Sequence, residues 1–271
     1  MKTIKFSLII FCLSTATLIY GQTASYTLLY ELEQKAVFFK VDVFGNIYVS
    51  DGNVLFQYNE QMQLQQSYSD FSMGKIHSID VSNPMKILLF SKDLMRISFF
   101  NNKLAVQNRP YLLSDLNIVQ AAAVATSYDN GFWVYDIVKD VLIRFDASAK
   151  KVAQSQPLST LISSKINPTA LLELGGKYLV LCDAVNGFFI FDRFGTYLKN
   201  IPIVGAESFS VWNEKLVFVV DNKIQLLSID NIDLQHFDVP NGEEVIDAAI
   251  KGKNIILLTK DQKLKVYQID K

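Results

Sequence analysis

An all-β fold, a six-bladed β-propeller of four-stranded antiparallel blades, follows from three observations in the 271-residue sequence. A two-strand pattern recurs six times at a near-constant period. The stretches between copies supply two further short strands each. The turns are rich in Asp, Asn and Gly, and no amphipathic helix of useful length intervenes.

The six strand pairs come in order. Residues 47–51 precede 54–59, 87–93 precede 95–101, and 132–136 precede 141–146. Residues 178–183 precede 188–192, 216–221 precede 224–230, and 255–261 precede 264–270. Each first member is an apolar, β-branched and aromatic run ending in Asp, as a buried strand entering a turn should be. Those aspartates are Asp51, Asp93, Asp136, Asp183, Asp221 and Asp261, at spacings of 42, 43, 47, 38 and 40 residues. A period near 40 with several short strands is that of a propeller blade.

A candidate innermost strand precedes each pair, at 37–42, 76–81, 118–125, 170–174, 209–212 and 245–250. More polar candidate outer strands follow at 64–68, 104–107, 151–156, 197–201 and 234–239, as exposed edges require. The last copy has no outer strand of its own, and residues 26–32 form an orphan strand near the N-terminus. That strand is expected to pair onto the last blade and close the ring. Residues 159–165 are expected to form at most a short helix.

Residues 1–21 read as a secretory signal peptide, leaving 22–271 as a single domain. Lys2 and Lys5 form a positive start, residues 6–20 carry no charge, and Gly21 is small. That run is short for a bilayer span of about 20 residues, so an uncleaved anchor is the lesser reading. Cys12 lies within it, without the small residues that precede a lipidated cysteine. Cys182 then remains as the one mature thiol, in an apolar run that suits inert packing.

Composition narrows the function classes. Half the residues are hydrophobic and the net charge is −1, which excludes disorder and gives no electrostatic footprint for nucleic acid. Two histidines, His77 and His236, leave little material for a histidine-built centre. No phosphate loop, nucleophile elbow or cysteine cluster is present. No cofactor is therefore expected.

Residues 41–51 and 190–199 carry the turns Asp42-Val-Phe-Gly-Asn46 and Asp192-Arg-Phe-Gly195. In these turns the chain resembles the six-bladed propellers of the NHL and TolB-like type. The Trp-Asp and Gly-His marks of WD40 repeats are absent. The resemblance implies the fold along the whole mature chain. It does not choose among the scaffolds, ligand binders, lactonases and lyases such propellers include.

The candidate binding face comprises the six repeat aspartates with His77, Lys139 and Asp140. Turn-making is the ordinary role of such aspartates, and a lone His is ordinarily hydrogen-bonded or solvated. Asp42, Asp80, Glu173, Glu207, Glu244 and Asp247 stand at or near the innermost strands, but match no lactonase metal set residue by residue. Trp133 and Trp212 suit core packing. The preferred reading is a non-catalytic, monomeric interaction scaffold, exported to the periplasm or outer membrane, with an envelope protein as partner. The alternative is a metal-dependent lactonase or lyase, or a small-ligand binder, at the channel mouth.

Overall fold

The computed structural model describes residues 25–270, so the expected signal peptide lies outside the described residues. Six four-stranded antiparallel sheets stand in a ring as the blades of a propeller. Blade 1 runs outward through Phe38–Val41, Ile47–Ser50, Val54–Tyr58 and Leu64–Ser69. Blade 2 uses Ser78–Asp80, Ile87–Ser91, Arg96–Phe100 and Tyr111–Leu112. Blade 3 uses Ala121–Thr126, Phe132–Asp136, Val141–Phe145 and Lys151–Gln154. Blade 4 uses Ala170–Leu174, Tyr178–Asp183, Gly187–Asp192 and Tyr197–Ile201. Blade 5 uses Ser210–Trp212, Lys215–Val220, Lys223–Ser228 and Asp233–Asp238. Blade 6 uses Val245–Lys251, Asn254–Thr259 and Leu264–Asp270, and its outer strand is Ser25–Leu32. The N-terminal strand thus closes the ring, in a register from Ser25↔Asp270 to Leu32↔Leu264.

The second strand of each blade is almost wholly buried because both of its faces meet a neighbouring blade. The core is accordingly divided into six apolar clusters, one per junction. Phe99, Phe132 and Phe145 fill the junction of blades 2 and 3, and Phe188 and Phe218 that of blades 4 and 5. Val49, Ile256 and Val266 fill the junction of blades 6 and 1, where the ring closes. Each fully buried side chain of this size contributes roughly 1.5–3 kcal/mol.

The third-to-fourth turns explain the degenerate repeat motif. Asn59, Asn101, Asp146 and Asp192 each accept, through one side-chain oxygen, from the amides two and four residues on. Three residues after each acceptor the backbone is left-handed, at Met62 (φ 56), Leu104 (φ 54), Ala149 (φ 60) and Gly195 (φ 88). The Asx group defines the turn, and glycine only relieves its strain. This is why the full glycine motif survives in so few blades.

One local expectation is corrected. Residues 104–107 are not the outer strand of blade 2. They turn at Leu104, touch through a single bridge, Phe100↔Val106, and the strand resumes at Tyr111–Leu112. Pro110 has no N–H to give to a ladder, which delays the pairing. Residues 159–165, expected to form at most a short helix, hold only part of one 3-10 turn, Leu158–Thr160.

Cys182 is fully buried on the second strand of blade 4, and its Sγ donates to the Ala206 carbonyl at 3.2 Å. Burial pushes its thiol up to about 12. A native chain is therefore expected to show no reaction of Cys182 with a disulfide reagent at neutral pH, and full reaction in denaturant. Peptide mapping of the labelled cysteine checks this, and native-state labelling at Cys182 would contradict it.

Candidate functional site

Successive strands of a blade run in opposite directions, so alternate connections emerge on opposite faces. The second-to-third turns share one face with the blade-to-blade connections. That loop face carries the six repeat aspartates with Lys139, Asp140 and His77. The structure does not converge them. Asp51, His77 and Asp93 line one cavity of about 460 Å3 at the junction of blades 1 and 2. Asp136 pairs with Lys139 at 3.2 Å, and Asp140 accepts from the Tyr135 hydroxyl and the Ser159 amide. Asp183, Asp221 and Asp261 stand apart, each in its own blade.

Several of these carboxylates are occupied by their own turns. Asp51 accepts from the amides of Asn53 and Val54, and Asp136 from those of Val138 and Lys139. Asp183 accepts from Val185 and Asn186 through one oxygen and from Asn167 through the other. Asp93 falls inside a 3-10 turn, Lys92–Leu94. Asp183→Ala is therefore expected to cost about 1–2 kcal/mol, and Asp93→Ala less than about 0.5 kcal/mol. Urea unfolding of the two variants checks the contrast; equal losses would contradict it.

His77 packs edge-on to Phe90, with ring centroids 5.9 Å apart. Burial, with a smaller push from Lys92 and a counter-pull from Asp93, holds its imidazole below the ordinary histidine range. His236 is exposed on the outer strand of blade 5, remote in sequence and blade from His77. Among the described residues, no three His, Cys, Asp or Glu side chains group closely enough to hold a metal ion.

The loop face also carries exposed apolar residues that the sequence reading passed over. Val37, Phe71, Val119 and Val204 sit in blade-to-blade connections; Leu94, Val138 and Val185 sit in second-to-third turns. Phe71 is 97% exposed, so it contributes nothing to the core. The corresponding turns of blades 5 and 6 are polar instead, with Asp221, Asn222, Glu243, Glu244 and Lys260. The opposite face has its own exposed apolar residues, Val43, Phe44, Met85, Tyr128, Phe194 and Ile232, so the near-complete exposure of Phe71, rather than the count, distinguishes the loop face.

A central channel of about 920 Å3 runs along the innermost strands. Its buried acids serve the fold. Asp80 accepts from the Thr126 amide and hydroxyl, tying blade 2 to blade 3. Glu173 accepts from Trp133 Nε1 at 2.7 Å, Ser127 Oγ at 3.0 Å and the Tyr128 amide at 2.9 Å, tying blade 4 to blade 3. Lys40 reaches across from blade 1 to Ser208 Oγ at 2.8 Å and the Phe209 carbonyl at 3.1 Å. Its Nζ also lies 3.8 Å from Asp247 of blade 6. The sequence signal for Lys40 was a lone cation inside the apolar run Phe38–Val41.

No family model matches this chain, and no curated protein matches it. Solved structures do. A virginiamycin B lyase from Staphylococcus aureus is similar at 12% identity and TM-score 0.65, over 91% of this chain and 100% of that one. A catalytically inactive form of the lyase with quinupristin gives 14% identity and TM-score 0.60, over 89% and 84%. The WD40 domain of Neurospora crassa Pan2 gives 7% and 0.65, over 93% and 97%. At such identities the likeness shows the fold alone: this chain is a β-propeller.

Proposed function

We propose that the chain is an exported, non-catalytic scaffold of the cell envelope, whose loop face docks another envelope protein. The observation that carries this reading is Phe71, an aromatic side chain 97% exposed on that face, accompanied there by six exposed aliphatic side chains. Loops held by a rigid scaffold are where binding surfaces concentrate. Blades 1 to 4 would supply the apolar centre of the contact and the acidic turns of blades 5 and 6 part of its polar rim. Export rests on the positive start and the uncharged run of residues 6–20. No helix among the described residues is long and apolar enough to cross a membrane.

The test is crosslinking and affinity capture of the tagged chain from envelope fractions of its native host. Phe71→Asp with Val185→Asp is expected to abolish capture of a partner that the parent chain recovers, with circular dichroism unchanged. Recovery of the same partner by this variant would overturn the docking face. Accumulation of the chain in the cytoplasm, with residues 1–21 intact, would overturn export.

A further inference from the structure

We propose that the central channel is a binding site for a neutral, predominantly apolar small molecule. This site is separate from the loop-face surface proposed above and does not depend on it.

The first observation is the wall. Phe38, Leu172, Leu174, Val211 and Trp212 line the cavity and are only half-buried by the protein itself. A channel meant only for water would gain nothing by presenting them, since apolar area left wet forgoes roughly 25 cal/mol per Å2. The cavity's volume of about 920 Å3 falls within the range of small-molecule sites, and a mostly apolar wall with few polar groups is their usual lining.

The second observation fixes the ligand's charge. Every buried carboxylate lining the channel is already engaged, and the remaining one, Glu207, is exposed to solvent. Asp42 accepts from the amides of Phe44 and Asn46, the Asn46 side chain and the Tyr48 hydroxyl. Asp80 and Glu173 are held by blade 3 as described above. The cations are engaged too: Lys40 by Ser208, Phe209 and Asp247, and Lys251 by the Val43 carbonyl. An anion entering the channel would meet these carboxylates with no free cation, and a cation would find no free carboxylate except the solvent-exposed Glu207. A charged ligand would lose hydration without a partner, whereas a neutral one loses little.

The test uses two dyes that share one skeleton. N-phenyl-1-naphthylamine is neutral, and anilinonaphthalene sulfonate is its sulfonated relative. The full chain is expected to bind the neutral dye saturably with one-to-one stoichiometry, and the sulfonate about tenfold or more weakly. Leu172→Glu should weaken the neutral dye about tenfold or more by placing a charge in the wall. Ser78→Phe, which narrows the channel without removing a hydrogen bond, guards against a folding defect in the first variant. Phe71→Ser should change nothing, because Phe71 lies on the loop face. Absence of saturable binding, preference for the sulfonate, or loss on Phe71→Ser with retention in Leu172→Glu and Ser78→Phe would each overturn the proposal. None of these outcomes bears on partner capture.

Discussion

Deleting residues 25–32 is expected to lower the thermal midpoint by about 8–16 °C and to make the protein prone to association. The strand Ser25–Leu32 pairs with Leu264–Asp270 and supplies Tyr26, Tyr30 and Leu32 to the clusters on either side of blade 6. These side chains are half-buried, so their loss costs about 4 kcal/mol in total, at roughly half the value of a fully buried residue. The pairing partner is worse placed. Leu264, Val266 and Tyr267 are at most 1% exposed, and deletion turns their strand into a long apolar edge. The register offers a control that a sequence-local explanation would fail. Ser25 stands opposite Asp270, so the same eight residues moved behind Asp270 on a short turn would form an ordinary hairpin in the same place. The permuted chain is expected to regain most of the lost midpoint. A permuted chain as unstable as the deletion would show that the strand acts otherwise than by closing blade 6.

Most of the architecture was legible because its signals are local and repeated. Buried second strands are continuous apolar runs, and the turns after them begin with Asp. Even the closing strand could be assigned, since one blade lacked a fourth strand and one strand lacked a blade. What failed was sensitive to single residues. Pro110 displaced the outer strand of blade 2, which hydrophobic pattern alone does not foresee. The candidate site was less legible. The repeat aspartates were readable as a set, yet equivalence in sequence did not bring them together in space, because each blade places its own turn around the rim. The exposed valines and Phe71 look in sequence like core residues; only the face on which their connections emerge distinguishes them. Lys40 acts across blade 6, on residues some 170 positions away, and no spacing rule reaches that far.

Glu173→Ala is expected to destabilise the protein by about 3 kcal/mol at neutral pH, more than any surface aspartate of the repeat. Glu173 is 8% exposed, and the change would orphan Trp133 Nε1, Ser127 Oγ and the Tyr128 amide at the junction of blades 3 and 4. It would also strip a neighbouring negative charge from Arg144, which is itself 7% exposed and has only Asp129, at 3.6 Å, as an ion-pair partner. Two effects compete over the charge of Glu173. Burial raises its carboxyl above the usual value of 4.5, while the three donors and Arg144 lower it, and burial prevails. A carboxyl whose pKa is raised by folding binds its proton more tightly in the folded chain. Its contribution to stability is full below the unfolded value and declines as pH rises through the window above 4.5. Glu173→Gln keeps the size of the side chain and cannot titrate. The stability difference between parent and Glu173→Gln is therefore expected to shrink as pH rises from 4 towards 7, which urea unfolding across about that range would resolve. A difference that grows with pH would mean that the donors and Arg144 outweigh burial. Glu173 would then be a carboxylate held ionised by its partners, and the junction would weaken in acid rather than above it.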